Sequence, residues 1–225
     1  MNNLRHKKWR KSLDLFLEKV YNKLQAREVD WVIIGSVATV LQGCDVSPND
    51  LDILVKFPES VKIISEYLEE YFHETKITRN SFQTENENDL WFSTKEKPID
   101  ISMDTWQFEW IFSRVLIEGV KVEIAHITAP KGHSMLKNGI WEAGPKIWSY
   151  IKKVTYNNYS IPVVPLEIQL GTNLNRNLKQ RADTILEVLK VEPLNKELLQ
   201  KVLSVERYLS IIKQMKGSLS FTKMQ

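Results

Sequence analysis

The sequence predicts a mixed α/β fold, in which a small mixed β-sheet is flanked by helices and followed by a C-terminal helical segment. Short apolar runs suited to strands alternate with longer stretches in which apolar residues recur at helical spacing. Turn signals separate several of the strand-like runs, and the end of the chain has only helical patterns. We place the main domain at residues 1–165 and a helical segment packed on it at residues 166–225.

The first half of the chain predicts five elements. Residues 4–27 form one long amphipathic helix, because apolar residues recur at helical spacing between charged ones. Residues 32–34 predict the first strand, and residues 37–42 predict the helix after it. A loop then leads to a second strand that opens on Asp50, and a helix starts at Pro58 and continues to about Tyr71.

Two hairpins are predicted in the middle of the chain. Residues 90–92 and 99–101 flank a Lys-Glu-Lys-Pro turn, and residues 114–117 and 120–127 flank Glu118-Gly119. The remaining predicted elements are an irregular segment at 128–150, a strand near 159–164, and helices at about 166–190 and 195–214.

The most informative stretch has a glycine after the first strand and two aspartates at the start of the second. Asp50 and Asp52 are at i and i+2 in a strand, so they point to one face, roughly 6–7 Å apart, and suit a divalent metal. Gly35 has no Cβ, so the backbone can turn sharply and approach a phosphate closely. Ser36 and the start of the following helix can then face an anion. This arrangement is what phosphoryl-group transfer needs.

This order of elements resembles the nucleotidyltransferase fold, the superfamily of DNA polymerase β, the CCA-adding enzymes and the antibiotic nucleotidyltransferases. Gly35 and Ser36 match its glycine-serine motif, and Asp50 and Asp52 match its two metal-binding aspartates. A departure is Val37, with Ala38 and Thr39 after it, where many members carry a basic residue. A wider likeness, to small uncharacterised prokaryotic members, runs to about residue 190 and rests on GVKVEI (119–124), GIWE (139–142) and IPVVPLE (161–167).

The resemblance implies transfer of a nucleoside monophosphate from an NTP to a hydroxyl of an unidentified acceptor, with Mg²⁺ or Mn²⁺ as cofactor. It also implies a third carboxylate that completes the metal site with Asp50 and Asp52. Glu123 and Asp100 compete for this role, since each lies in an alternating strand pattern. The order of the family motifs favours Glu123, and the spacing from Asp52 favours Asp100. Glu123 is preferred, and Asp100 stays open as the alternative.

Basic residues on a helix late in the chain are the last site candidates. Related enzymes often use such residues to bind the triphosphate, and here they are Arg176, Lys179 and Arg181. A solvated helix face explains the same three residues equally well.

Composition limits the partners and the compartment. The hydrophobic content of 43% and charged content of 26% are ordinary for a soluble globular protein. No apolar run approaches the roughly 20 residues that cross a bilayer, and the basic N-terminus has no apolar run after it, so we expect a cytoplasmic protein without a membrane partner. The net charge of +3 permits a nucleic-acid partner without requiring one.

The expected partners are an NTP and an acceptor that is a small molecule, a tRNA or a protein, and a homodimer stays open. Two other functions fit the same motifs. One is a toxin–antitoxin or defence nucleotidyltransferase that acts on tRNA or protein, and the other is a non-catalytic binding module with this fold. A basic surface around Asp50 favours an RNA acceptor, whereas a missing third acid favours the binding module.

Overall fold

The computed structural model describes residues 2–74, 91–132 and 140–221, with side chains described in 8–74, 91–132 and 140–215. The described part contains seven α-helices and seven strands, with short 3₁₀ turns at Glu69–Tyr71 and Ile147–Ser149. In chain order the elements are α1 (Asn2–Ala26), β1 (Trp31–Ile34), α2 (Gly35–Leu41), β2 (Asp50–Val55), α3 (Pro58–Tyr67), β3 (Asp100–Met103), β4 (Glu109–Ile117), β5 (Val120–Thr128), β6 (Lys152–Tyr156), β7 (Tyr159–Val163), α4 (Leu166–Asn175), α5 (Lys179–Leu189), α6 (Lys196–Val202) and α7 (Val205–Phe221).

The seven strands form one mixed sheet in the order β3-β4-β5-β2-β1-β7-β6. Strand β2 lies at its centre, antiparallel to β1 and parallel to β5. Strand β7 runs parallel to β1, and the other neighbouring pairs are antiparallel. Strand β2, which carries the two aspartates, therefore lies between β1, which ends at the predicted glycine, and β5.

One face of the sheet is covered by the helices of the N-terminal half. Ile33, Ile53 and Ile124, from three neighbouring strands, are almost fully buried against α1, which contributes Leu13 and Phe16 to the same cluster. These strand residues alternate with the residues of the opposite face, as the period of two in a strand requires. The long first helix is amphipathic because its apolar stripe closes this side of the core.

The C-terminal helices cover only part of the opposite face. Val32 and Leu54 pack there with Ile168 of α4 and Leu198 of α6. The C-terminal helices also share a second apolar cluster, which includes Cys44 from the loop after α2. Where the C-terminal helices do not cover this face of the sheet, β2, β5 and β4 carry polar residues. No helix within the described ranges is both long and apolar enough to cross a membrane.

The predicted fold class, a mixed sheet flanked by helices, is confirmed. The first helix and the hairpin at Glu118-Gly119 also form as predicted, and both turn residues have positive φ angles of 53° and 72°. This pair of angles matches the twist of a two-residue hairpin turn.

Several element boundaries differ from the sequence prediction. The predicted helix at 166–190 is broken after α4, because Asn177 adopts a left-handed φ of 55°. The helix predicted at 195–214 is interrupted at Leu203, which is extended. The helix from Pro58 ends at Tyr67 and is followed by a 3₁₀ turn.

The first predicted hairpin is wrong. Residues 91–99 do not form a strand, and β3 pairs with β4 instead; residue 90 lies outside the described residues. Strand β6 was missed because it follows directly after the irregular segment, although it forms a regular hairpin with β7.

Close packing of α4 against the end of α6 gives a testable consequence. A Cβ on Gly171 would lie 2.1 Å from Cγ1 of Val202. By helix propensity alone, Gly171→Ala should stabilise by about 1 kcal/mol. We expect it instead to lower the free energy of unfolding by roughly 1–3 kcal/mol, because the added methyl group overpacks the contact.

Urea unfolding of Gly171→Ala, Val202→Ala and the double variant measures this effect. The double variant should be more stable than Gly171→Ala alone, because alanine at position 202 removes the clashing methyl group. Equal or greater stability of Gly171→Ala relative to the wild type would contradict the packing.

Candidate functional site

One row of residues crosses four neighbouring strands on the face of the sheet opposite α1. Ile34 of β1 pairs with Asp52 of β2, Asp52 pairs with Glu123 of β5, and Glu123 pairs with Arg114 of β4. Directly paired residues project to the same face, and neighbouring strands are about 4.8 Å apart. The register therefore brings Glu123 beside Asp52 although they are far apart in the chain.

Asp50 projects from the same face of β2 as Asp52, two residues earlier in the strand. Its register partner on β5 is Lys121, whose Nζ is 3.2 Å from Asp50 Oδ2. Burial acts to lower the pKa of Lys121, but the charges of Glu123, Asp50 and Asp52 together outweigh burial and raise this pKa. Lys121 therefore stays a cation and compensates part of the negative charge of the row.

Glu123 is paired with Arg114. Arg114 Nε donates to Glu123 Oε2 at 2.8 Å, and Nη2 donates to the same oxygen. Both side chains are largely buried, with 5% of Arg114 and 15% of Glu123 exposed. Buried charges need such a partner, because isolated they would lose their hydration without compensation.

Gly35 begins α2 directly after β1 and touches Asp52. Its φ is +68°, in the left-handed region that favours glycine. A Cβ at this position would lie 2.7 Å from Asp52 Oδ2. Glycine is therefore required for two reasons, its backbone conformation and the Asp52 carboxylate that packs against its backbone.

Glu142 also lies against Gly35, and sequence reasoning gave it no role. Its carboxylate accepts a hydrogen bond from the Gly35 N–H, and its own N–H donates to Thr172 Oγ1 at 3.1 Å. The Gly35 amide, at the turn where the sequence predicts close approach of a phosphate, is therefore already hydrogen-bonded in this structure. Glu142 lies in an irregular segment, where no periodic pattern could have indicated its position; its place in the Gly-Ile-Trp-Glu motif was the only signal.

Burial raises the pKa of Glu142, whereas the hydrogen bond from Gly35 and the charges of Arg176 and Arg181 act in the opposite direction. Burial also raises the pKa of Asp52, and the charges of Asp50, Glu123 and Glu142 raise it further, with Lys121 opposing them, to about 8. Asp52 therefore holds its proton more tightly than an exposed aspartate does, and a cation beside it would favour the ionised form.

The donor set fits a hard divalent cation in its chemistry, since such ions prefer carboxylate oxygens. The missing side chain of Gly35 leaves room for the Asp52 carboxylate against the backbone at the start of α2. However, no group of three or more His, Cys, Asp or Glu side chains within the described ranges is arranged to hold a metal ion. In this structure Asp50 and Glu123 instead form ion pairs with Lys121 and Arg114.

Asp100, the alternative third acid, lies apart from the row. It is on β3, three strands from β2, or roughly 14 Å at the usual strand spacing. There it pairs in register with Phe112 and forms an ion pair with Lys97. Of the two candidates, only Glu123 lies beside Asp52.

The other predicted residues lie around the first turn of α2 and the junction of α4 and α5. Ser36 is buried on α2. Arg176 and Arg181 are exposed, and both act on the pKa of Glu142. Lys179 is exposed and lines an open groove of about 760 Å³ with Gly43 and other residues, none of which belongs to the row. The three basic residues therefore do not form one cluster on the carboxylates.

Comparison with known proteins finds likenesses among solved structures alone. No family model matches the sequence, and no curated protein sequence matches it. Among solved structures, the chain is similar to the 1.87 Å crystal structure of a protein from Thermotoga maritima described as a "putative nucleotidyltransferase". The two are 24% identical with a TM-score of 0.49, and the match covers 78% of this chain and 91% of that chain. At this level of similarity, the function has to be argued from the site itself.

Two glycines with positive φ allow the contact between Gly35 and Asp52 to be tested. Gly43 has a φ of +96°, but a Cβ there would meet nothing within 4 Å. Gly43→Ala should therefore cost only the backbone strain, about 1–3 kcal/mol. Gly35→Ala should lower the free energy of unfolding by more than Gly43→Ala, because its Cβ also collides with Asp52. Urea unfolding measures both, and equal losses would contradict the close contact.

The pKa of Asp52 predicts how stability depends on pH. The pKa of Asp52 is about 8 in the folded state, above the ordinary value of 3.8. Between these two pH values the folded state therefore holds a proton on Asp52 that the unfolded state has lost. The free energy of unfolding should therefore fall as pH rises from 5 to 8, by at most about 1.4 kcal/mol per pH unit for one group.

Asp52→Asn should make this pH dependence shallower and should increase stability at pH 8. Urea unfolding at pH 5, 6, 7 and 8, with a chelator present, measures both effects. The same slope in the variant as in the wild type would contradict the assignment of the raised pKa to Asp52.

Proposed function

We propose that the protein is a metal-dependent nucleotidyltransferase that moves a nucleoside monophosphate from an NTP to a hydroxyl of its acceptor. One observation carries the proposal: Asp50 and Asp52 share a face of the central strand, and Asp52 packs against the backbone of Gly35. Glu123, in register with Asp52, adds a third carboxylate. The glycine and the two aspartates thus meet in space as well as in sequence order.

In this proposal, Asp50, Asp52 and Glu123 hold Mg²⁺ or Mn²⁺. When bound, the metal neutralises charge on the phosphates and favours deprotonation of the acceptor hydroxyl. Asp52 supports this role because burial, and after it the charges of Asp50, Glu123 and Glu142, raise its pKa, and a divalent cation at this position favours the ionised carboxylate. Lys121 and Arg114 limit that charge while the cation is absent.

The reaction is a displacement at the α-phosphorus. The acceptor hydroxyl oxygen forms a bond to this phosphorus, and the bond from the phosphorus to the oxygen bridging to the β-phosphate breaks. Pyrophosphate leaves with the electron pair of that bond, Glu123 helps to polarise the acceptor hydroxyl, and the proton of that hydroxyl passes to solvent water. A carboxylate is suited to this work when it is within hydrogen-bond reach of the hydroxyl.

The triphosphate is held by the turn after β1 in this proposal. Gly35 and Ser36 contact the β and γ phosphates, and a phosphate that takes the Gly35 amide displaces the carboxylate of Glu142. Arg176 and Arg181 support this position because their charges already act on Glu142. Lys179, at the start of the same helix as Arg181, is the third basic group that can approach the phosphates.

A second candidate is a non-catalytic binding module. The observation that favours it is that Lys121 and Arg114 pair with two of the three carboxylates, so that no three-ligand metal group forms among the described residues. Such a module would bind an NTP without transferring it. The acceptor of an active enzyme stays open between a small molecule, a tRNA and a protein, the last two as in a toxin–antitoxin or defence enzyme.

A transfer assay with radiolabelled NTPs and cell extract, with and without Mg²⁺ or Mn²⁺, tests the proposal. We expect metal-dependent labelling of an acceptor by the wild type. Asp50→Asn and Asp52→Asn should each reduce labelling by about 100-fold or more, which corresponds to about 2.7 kcal/mol of lost stabilisation of the transition state.

Asp100→Asn is the matched control, because it removes a carboxylate on another strand of the same sheet and should label like the wild type. Labelling by Asp52→Asn at the wild-type rate would contradict the proposal. Nucleotide binding without labelling of any acceptor would favour the binding module.

A further inference from the structure

Arg114 contacts Glu123 through one of the two carboxylate oxygens. Nε and Nη2 both donate to Oε2, and Oε1 makes no hydrogen bond to any residue that the structure describes. Arginine and a carboxylate frequently form two parallel hydrogen bonds, one to each oxygen, and that geometry would engage the whole carboxylate. The contact seen here leaves one oxygen of Glu123 available to another ligand.

Arg114 is itself fixed by contacts on the side away from Asp52. Its Nη1 donates to the carbonyl oxygen of Trp91 at 3.1 Å, and its guanidinium lies 5.0 Å from the centre of the Phe112 ring. Its backbone N–H donates to Ser93 Oγ at 3.0 Å. Since only 5% of its side chain is exposed, Arg114 has little freedom to follow Glu123 if the carboxylate turns. The orientation of Oε2 is therefore determined by the core.

Glu123 lies between this fixed arginine and Asp52 in the row across the sheet. Asp50 has Lys121 as its ion-pair partner, whereas Asp52 forms no ion pair within the described part of the chain. The carboxylate oxygen that Arg114 leaves free thus belongs to Glu123, which is in register with Asp52, the aspartate that forms no ion pair in the described part of the chain. A divalent cation held by the aspartate pair would therefore have Glu123 beside it in register.

We propose that Arg114 is a positioning residue for Glu123, which it holds by one oxygen so that the other can bind the divalent ion shared with Asp50 and Asp52. The inference rests on the proposed function, because it assumes a metal at the aspartate pair. It assigns Arg114 no contact with the nucleotide or the metal. Its effect passes through Glu123 alone.

The direction in which metal affinity changes when Arg114 is lost distinguishes positioning of Glu123 from simple charge compensation. A positive charge near the site repels a divalent cation, so by charge alone the loss of Arg114 should tighten metal binding. If Arg114 orients a ligand, its loss should weaken metal binding, typically by about 10- to 100-fold for residues that orient metal ligands. The two explanations therefore predict opposite changes in metal affinity.

Titration of the full-length protein with Mn²⁺ alone, followed by the electron paramagnetic resonance signal of free Mn²⁺, measures this affinity without nucleotide or turnover. We expect Arg114→Gln to weaken Mn²⁺ binding by about 10-fold or more. Arg114→Lys should weaken it as well, because a lysine keeps the charge but not the two-donor contact with Oε2. If Arg114→Gln does not fold, Arg114→Lys decides the question.

A double-mutant cycle with Glu123→Gln shows whether the effect passes through Glu123. In the Glu123→Gln background, Arg114→Lys should change Mn²⁺ affinity by less than about twofold. Lys97→Gln is the matched control, because it breaks a similar ion pair, with Asp100, on the far strand of the sheet. It should bind Mn²⁺ like the wild type.

Unchanged or tighter Mn²⁺ binding by both Arg114 variants would overturn this inference alone, provided that the wild type binds and Asp52→Asn does not. Equal weakening by Arg114→Lys with and without Glu123→Gln would also overturn it, since Arg114 would then act without Glu123. Absence of Mn²⁺ binding by the wild type would overturn the metal assignment of the proposed function and this inference with it. Metal binding with the expected pattern but without nucleotidyl transfer would contradict only the proposed function.

Discussion

The contact between the Asp52 carboxylate and the bare backbone of Gly35 is the constraint on which the rest of the site depends. It requires a residue without Cβ at the end of β1, and a left-handed turn that starts α2 there. β1 and β2 are antiparallel neighbours in the centre of the sheet, and the register between β2 and β5, on its other side, places Lys121 and Glu123 alongside the aspartates. A shift of one residue in that register would turn both carboxylates into the apolar core.

Charge compensation is the second organising feature of the site. Four carboxylates, those of Asp50, Asp52, Glu123 and Glu142, lie on or beside the row, and the structure compensates them unequally. Two have cationic partners, and Glu142 has a backbone N–H. Asp52 forms no ion pair within the described residues, and burial together with the neighbouring carboxylates raises its pKa. The carboxylate without an ionic or backbone partner is thus the one that packs against Gly35.

The sequence was sufficient to predict the class of fold, and the turn at Gly35 and the shared face of the aspartate pair also follow from local patterns. Strand alternation set the face of Asp50 and Asp52, and a glycine after an apolar run indicated the turn. The choice between Glu123 and Asp100 could not be made this way, since both alternate equally well and the order of strands in the sheet decides it. The contacts of Glu142 and Arg114 could not be predicted for the same reason, because they are tertiary contacts between different elements. The broken C-terminal helices depend on single residues such as Asn177, whose left-handed conformation is permitted but not required by its type.

The hairpin of β4 and β5 has a consequence for how the chain assembles. Arg114 and Glu123 are nine residues apart and meet across a tight turn, whereas Glu123 and Asp52 are separated by 71 residues (123 − 52). Local contacts close faster than distant ones because the loss of chain entropy is smaller. We therefore expect the hairpin to form its ion pair before β5 docks beside β2. The strand then approaches two aspartates with its own acid already neutralised, so electrostatic repulsion does not oppose the slow parallel pairing that completes the sheet.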